Sequence, residues 1–253
     1  MITVKDLYKK YGNHPVLNGL NIEFPKGKVI SLIGGNGAGK STLLSVISKI
    51  IDHDSGHILL SHEDIANISS KDYATKLSFL RQSNFTHIRL TIRELVSFGR
   101  FPYNRGKKMS TQDEEKVEEA IAFMELEDIA DSFLDELSGG QRQRAYLAMI
   151  LAQDTENILL DEPLNNLDMK YSVQIMKTLR DFAHQQGKTV ILIVHDINIA
   201  AQYSDYIAAL KDGVVQHFGT TDEIIKPCVL KDIFEIDFEV ILNRGCKFCL
   251  YYD

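Results

Sequence analysis

The sequence has no tryptophan, five prolines and three cysteines in 253 residues. Cys228, Cys246 and Cys249 are too few and too clustered for a disulfide framework, which fits a reducing compartment. No apolar run approaches the ~18 residues of a membrane span, and the densest, Val190-Ile191-Leu192-Ile193-Val194, has strand length. The expectation is a chain that does not cross a bilayer by itself. The first residues, Met1-Ile2-Thr3-Val4-Lys5-Asp6, carry no charged-then-apolar leader, so no secretory signal and a cytosolic location are expected. A basic excess is missing too: 28 Lys and Arg stand against 35 Asp and Glu, a net charge of −7, which excludes a generic nucleic-acid coat. What is present is globular. Hydrophobic residues make up 44% and charged residues 25%, and a chain of this length buries roughly three quarters of its unfolded surface. There is no internal repeat or low-complexity stretch.

The first third alternates short apolar runs with glycine-marked turns. Residues 16–24 read as a strand, Pro25-Lys26-Gly27 as a turn, and Val29-Ile30-Ser31-Leu32-Ile33 as a buried strand running into a glycine cluster. Beyond Lys40, the residues Leu43, Leu44, Ile47, Ile50 and Ile51 recur at helical spacing, so the glycine loop opens a helix. The middle third is helical in pattern, with apolar faces over residues 116–128 (Val117, Ala120, Ile121, Met124) and 141–153 (Ala145, Ala148, Met149, Ala152). Residues 99–110 read as an exposed connection, and the acidic run from Asp113 to Glu119 as a solvated helix start. From Asn157 the strand-then-helix rhythm returns, which predicts a parallel sheet with helices packed on it. The expected organisation is one α/β core made of residues 1–82 and 156–220, interrupted by a helical subdomain at 83–155. An extension at 221–253 holds two short helices and a small strand pair.

Three segments carry chemistry. Gly34-Gly35-Asn36-Gly37-Ala38-Gly39-Lys40-Ser41 fits G-x-x-x-x-G-K-[ST] between a buried strand and a helix. Backbone N–H groups of such a loop and of the following helix N-terminus converge on phosphate oxygens. Lys40 would reach the β and γ phosphates and Ser41 would bind Mg²⁺. Asn157-Ile158-Leu159-Leu160-Asp161-Glu162 is an apolar strand ending in two carboxylates. Such a pair is an ordinary solvated turn on its own. Beside a phosphate loop, Asp161 suits Mg²⁺ and Glu162 lies where an attacking water is polarised. Leu137-Ser138-Gly139-Gly140-Gln141 precedes a helical run, so the Ser138 hydroxyl and bare glycine amides offer a second anion site, or a simple N-cap.

These motifs, in this order, resemble the nucleotide-binding subunit of an ATP-binding cassette (ABC) transporter over nearly the whole chain. Its phosphate-loop NTPase fold has a mostly parallel sheet, an N-terminal antiparallel β portion and an inserted α-helical signature subdomain. The resemblance implies ATP and Mg²⁺ as ligands and a homodimer in head-to-tail arrangement, each ATP lying between one phosphate loop and the partner's signature sequence. Carried over, Tyr11 stacks on adenine, and Gly34 through Thr42 hold the phosphates. Ser138, Gly139, Gly140 and Gln141 clamp the γ-phosphate across the interface, which Asp168 helps to shape. Glu162 is the general base, His195 contacts the γ-phosphate and the water, and Gln82 senses Mg²⁺. Tyr11 as a surface aromatic, His195 as a strand-end histidine and Gln82 as an unremarked glutamine are the bland readings of the same residues.

No fused membrane domain is present, so the resemblance implies a separate integral membrane permease, docked at the helical subdomain on the cytoplasmic face. An extracellular substrate-binding protein participates indirectly. Residues 91–103 resemble the ferric siderophore, haem and cobalamin group, and Asp161-Glu162-Pro163-Leu164-Asn165-Asn166-Leu167-Asp168-Met169-Lys170 is similar to a ferric siderophore branch. An iron-chelate importer is therefore expected. An exporter cassette, or a soluble cassette ATPase acting on ribosomes or DNA, is the alternative. The spacing of Cys246 and Cys249 lacks a second pair, and His53, His57 and His62 lack any zinc motif, so neither group is expected to bind metal.

Overall fold

The computed structural model describes residues 1–82, 89–104 and 106–251. Residues 83–88 of the expected helical subdomain, Arg105 of the expected connection and the final two residues of the extension lie outside the described residues. The chain runs β1 (Ile2–Tyr11), β2 (His14–Phe24), β3 (Val29–Ile33), α1 (Lys40–Ile47), β4 (Ser55–Leu60), β5 (Glu63–Asp64), α2 (Ser70–Ala74) and β6 (Leu77–Leu80). The helical stretch follows as α3 (Ile92–Ser97), α4 (Phe101–Asn104), α5 (Thr111–Phe123) and α6 (Gly139–Gln153). Then come β7 (Asn157–Asp161), α7 (Met169–Gln186), β8 (Thr189–Ile193), α8 (Ile197–Tyr203), β9 (Tyr206–Lys211) and β10 (Val214–Thr220). The extension contains α9 (Thr221–Ile224), α10 (Pro227–Phe234), β11 (Glu239–Asn243) and β12 (Cys246–Leu250).

Two sheets carry the core. The antiparallel one has order β2-β1-β4-β5, and the larger one β10-β9-β3-β8-β7-β6. Alternation buries Leu20, Ile22 and Phe24 on one face of β2, and these pack with Ile30 and Leu32 of β3 and Leu43, Leu44 and Ile47 of α1. In the larger sheet β9, β3, β8, β7 and β6 run parallel and only β10 is antiparallel. Every residue of β3, β7 and β8 is buried, as expected of parallel strands covered on both faces. Their register sets Leu32 and Asp161 each opposite Ile193, so the segments that follow these three strands emerge side by side.

The middle third corrects two expectations. Residues 98–104 are helical rather than an exposed connection, and Arg100 is buried. Its guanidinium donates to Asp113 Oδ1 at 2.8 Å and to the Ala152 carbonyl at 2.8 Å. Asp113 is therefore a buried ion-pair partner and cap residue, while Glu114, Glu115, Glu118 and Glu119 are exposed as expected. The extension docks through α8: Asn198 Oδ1 accepts from Cys249 N at 2.7 Å, and Gln202 Nε2 donates to the Lys247 carbonyl at 2.6 Å. Cys246 and Cys249, three apart on β12, fall on opposite faces, and all three thiols are free. His57 pairs with Asp64 at 2.9 Å, and among the described residues no cluster of three metal-ligating side chains occurs.

Candidate functional site

The loop between β3 and α1 is shaped by steric demands that glycine alone meets. Gly34 has φ 134°, and a Cβ there would lie 2.2 Å from the Leu210 carbonyl of β9. Gly39 has φ 98°, and its Cβ would stand 2.8 Å from the Val16 carbonyl of β2. The loop is thus pressed against β9 and β2 from beneath. Its outer side is open at Gly35 and Gly37, Asn36 is exposed, and Ala38 N closes the turn on the Gly35 carbonyl at 3.3 Å.

Lys40 opens α1 and is buried. Its Nζ donates to the Gly34 carbonyl at 2.7 Å and the Gly35 carbonyl at 2.8 Å, wrapping the loop around the ammonium group. Burial lowers its pKa from the usual lysine value, and the charges of Glu162 and Asp161 oppose that drop. The next residue, Ser41, donates from Oγ to Asp161 Oδ1 at 3.0 Å, and Thr42 sits half-buried behind it in the first turn of α1. Burial pushes the Asp161 carboxyl up, the nearby Glu162 charge adds to this, and the Ser41 hydrogen bond and Lys40 pull the other way. A hydroxyl and a carboxylate at the mouth of an open loop are hard oxygen donors, and this set fits Mg²⁺, which takes few protein ligands and completes its shell with phosphate and water.

Glu162 follows β7 in a left-handed conformation, φ 53°, uncommon for a side chain of its kind. Its carboxylate has a partner on every side. His195 Nε2 lies 2.6 Å from Oε1, and both Gln82 Nε2 and Asn165 Nδ2 donate to Oε2 at 2.6 Å. Burial alone would raise its pKa, but the hydrogen bonds from His195, Asn165 and Gln82, with the His195 charge, hold it below the usual glutamate range. Gln82 reaches it from the end of β6 and His195 from the end of β8, which the parallel register brings to β7. The structure therefore brings Lys40, Ser41, Gln82, Asp161, Glu162 and His195 to one locus at the carboxyl edge of the sheet.

The other expected residues lie apart from that locus. Ser138 caps α6: its Oγ accepts from Gln141 N at 3.2 Å, and its own N–H donates to Gln141 Oε1 at 2.9 Å. Ser138 and Gly139 are exposed, and a Cβ on Gly140 would lie 3.3 Å from the Asn166 carbonyl. Asp168 caps α7, accepting from Tyr171 N at 3.0 Å. Tyr11 is exposed at the end of β1, with Lys9 Nζ 5.4 Å from its ring centroid. Among the described residues, no hydrogen bond or ion pair joins Tyr11, Asp168 or the Ser138–Gln141 segment to the phosphate loop of the same chain. Sequence analysis assigns no role to Asn165, whose amide meets the Glu162 carboxylate only through the left-handed turn at Glu162.

Residues 17–165 match the family model for ABC transporters. The petrobactin import ATP-binding protein YclP of Bacillus subtilis (strain 168) is 49% identical over 252 residues, covering 100% of both chains. The ferric enterobactin transport ATP-binding protein FepC of Escherichia coli (strain K12) is 36% identical, covering 91% of this chain and 86% of its own. Among solved structures, the dimeric MJ0796, a bacterial ABC transporter cassette, superposes with a TM-score of 0.79 at 30% identity, over 87% of this chain and 99% of that one. The same cassette in a dimeric post-hydrolysis state bound to ADP and Pi gives 0.78 at 30% identity, with the same coverage. A sheet edge that gathers a phosphate loop, a serine–aspartate pair and a hydrogen-bonded glutamate, on a chain with full-length cassette relatives, identifies this protein as a member of the ABC transporter family, one of its ATP-hydrolysing subunits.

Proposed function

We propose that this subunit powers uptake of an iron chelate of the ferric siderophore type, working as a head-to-tail homodimer beneath a separate membrane permease. The observation that carries the catalytic part is the Glu162 carboxylate, held ionised by three hydrogen bonds in the same locus as Lys40, Ser41 and Asp161. The cargo rests on the relatives, whose names specify petrobactin and iron(3+)-hydroxamate import. These full-length import relatives give no support to the exporter or the soluble alternative.

In this reading the loop Gly34–Lys40 with Thr42 takes the phosphates, and Lys40 uses the N–H left over after its two carbonyl contacts. Ser41 and Asp161 hold Mg²⁺, with Gln82 near it; the ion's chemistry is to offset phosphate charge. Glu162 takes the proton of the attacking water while His195, on its other oxygen, is placed to meet the γ-phosphate. Tyr11 supports the adenine. Ser138 and Gly139, exposed, with the half-buried Gly140 and Gln141, are unused by the chain's own phosphate loop and serve the partner's nucleotide, with Asp168 at the same interface. Phosphate charge between two sets of donors then closes the dimer, and hydrolysis loosens it.

Permease docking is supported by an exposed groove lined by Ser70, Lys71, Ala74, Phe101 and Pro102, where Phe101 is 57% exposed. No helix among the described residues is long and apolar enough to cross a membrane. The test is Glu162→Gln: ATP binding persists while turnover falls by roughly 10²- to 10⁴-fold. Undiminished turnover would remove Glu162 from the role of base.

A further inference from the structure

The carboxylate of Glu162 is oriented by two residues from neighbouring strand ends, and by a third, Asn165, from its own loop. Gln82 and His195 lie at the ends of separate strands, so their hold on Glu162 depends on where those segments stand. Asn165 differs in two ways. It is only three residues from Glu162 within one turn, closed by Asn165 N donating to the Glu162 carbonyl at 3.3 Å. That turn is also fixed from outside, where Gln143 Nε2 of α6 donates to the Pro163 carbonyl at 3.0 Å, and from within by Leu167 N donating to the Leu164 carbonyl at 3.2 Å. Together with the left-handed backbone of Glu162 and Asn166, these contacts leave the loop little freedom.

An amide at this position has a specific chemical merit. It donates to the carboxylate without adding a positive charge beside it, so it fixes direction while leaving the oxygen basic; a lysine would fix direction and neutralise. We propose that Asn165 is a positioning residue for hydrolysis, which holds the Glu162 carboxylate in one orientation through Oε2. This rests on the reading of Glu162 as the base. Asn165 touches the carboxylate and no phosphate-loop group, so its effect falls on turnover and not on nucleotide affinity.

The experiment compares kcat, KM for ATP and melting temperature for the full chain, Asn165→Ala, Asn165→Gln and Glu162→Gln. One oriented hydrogen bond corresponds to about a tenfold loss of kcat in Asn165→Ala, with KM within about twofold and the melting temperature unchanged. Asn165→Gln, which keeps the amide donor on a longer arm, recovers at least part of that loss. In a Glu162→Gln background, Asn165→Ala causes no further fall. With Glu162→Gln inactive, a normal kcat in Asn165→Ala overturns the positioning role alone, as does a joint change in kcat, KM and melting temperature. A fully active Glu162→Gln removes the base and the role of Asn165 with it.

Discussion

Replacing Lys40 by alanine tests the phosphate loop quantitatively. The ammonium has three N–H donors, and two are committed to the Gly34 and Gly35 carbonyls, at 2.7 and 2.8 Å. One remains for a phosphate oxygen, and a single charge-assisted hydrogen bond is worth about 1.5–3 kcal/mol, or roughly 10- to 150-fold in affinity. The upper end is expected, because removal of the cation also leaves Asp161 facing the phosphates without a counter-charge. Stability should change little, since the freed carbonyls belong to Gly34, which is half-buried, and Gly35, which is exposed to water. The assay is titration with a fluorescent ATP analogue at fixed Mg²⁺, in a Glu162→Gln background that removes turnover, with thermal melting as control. An affinity within about threefold of the parent, with melting unchanged, would refute the assigned contact.

Other expectations follow from the packing. Gly34→Ala drives a Cβ to 2.2 Å from the Leu210 carbonyl at φ 134°, and should cost at least ~3 kcal/mol, seen as a melting temperature lowered by about 6 °C or more. Arg100→Ala breaks an ion pair whose two side chains are each 8% exposed, at about 3–5 kcal/mol and a melting shift of about 6–20 °C. Burial opposes ionisation of Asp113, but Ser110 and Arg100 together hold its pKa below the unfolded value. Its contribution is therefore full above the unfolded pKa and lost as pH falls through the folded one, so Arg100→Ala should flatten the acid limb of a melting-versus-pH curve. Burial raises the Cys249 thiol to about 11, whereas Cys228 is exposed, so peptide mapping after brief alkylation at pH 8 should find Cys228 modified and Cys249 intact.

The chemistry was legible where spacing and local pattern carry it. The glycine loop, the apolar strand ending in Asp161 and Glu162, and the Ser-Gly-Gly lead-in to α6 can be read along the chain, because each is a local constellation at a strand end or a helix start. What escaped depends on partners distant in sequence. Arg100 and Asp113 looked solvated, since each alone is a charged residue in a polar stretch; only their encounter, with the Ala152 carbonyl completing the set, allows burial. Asn165 escaped for a different reason. Its role follows from the left-handed turn at Glu162, which no local rule predicts for a glutamate. The docking of β12 on α8 likewise depends on Asn198 and Gln202 gripping the backbone of Cys249 and Lys247, contacts 51 and 45 residues apart.

Whether the signature segment of one copy completes the nucleotide site of another is read by light scattering on Glu162→Gln with and without ATP, alone and combined with Ser138→Arg. A mass near twice 28.6 kDa is expected only with ATP and only with Ser138 intact, while the Ser138→Arg protein still binds ATP but stays a monomer. Equal ATP-driven dimerisation with and without Ser138 would contradict this arrangement.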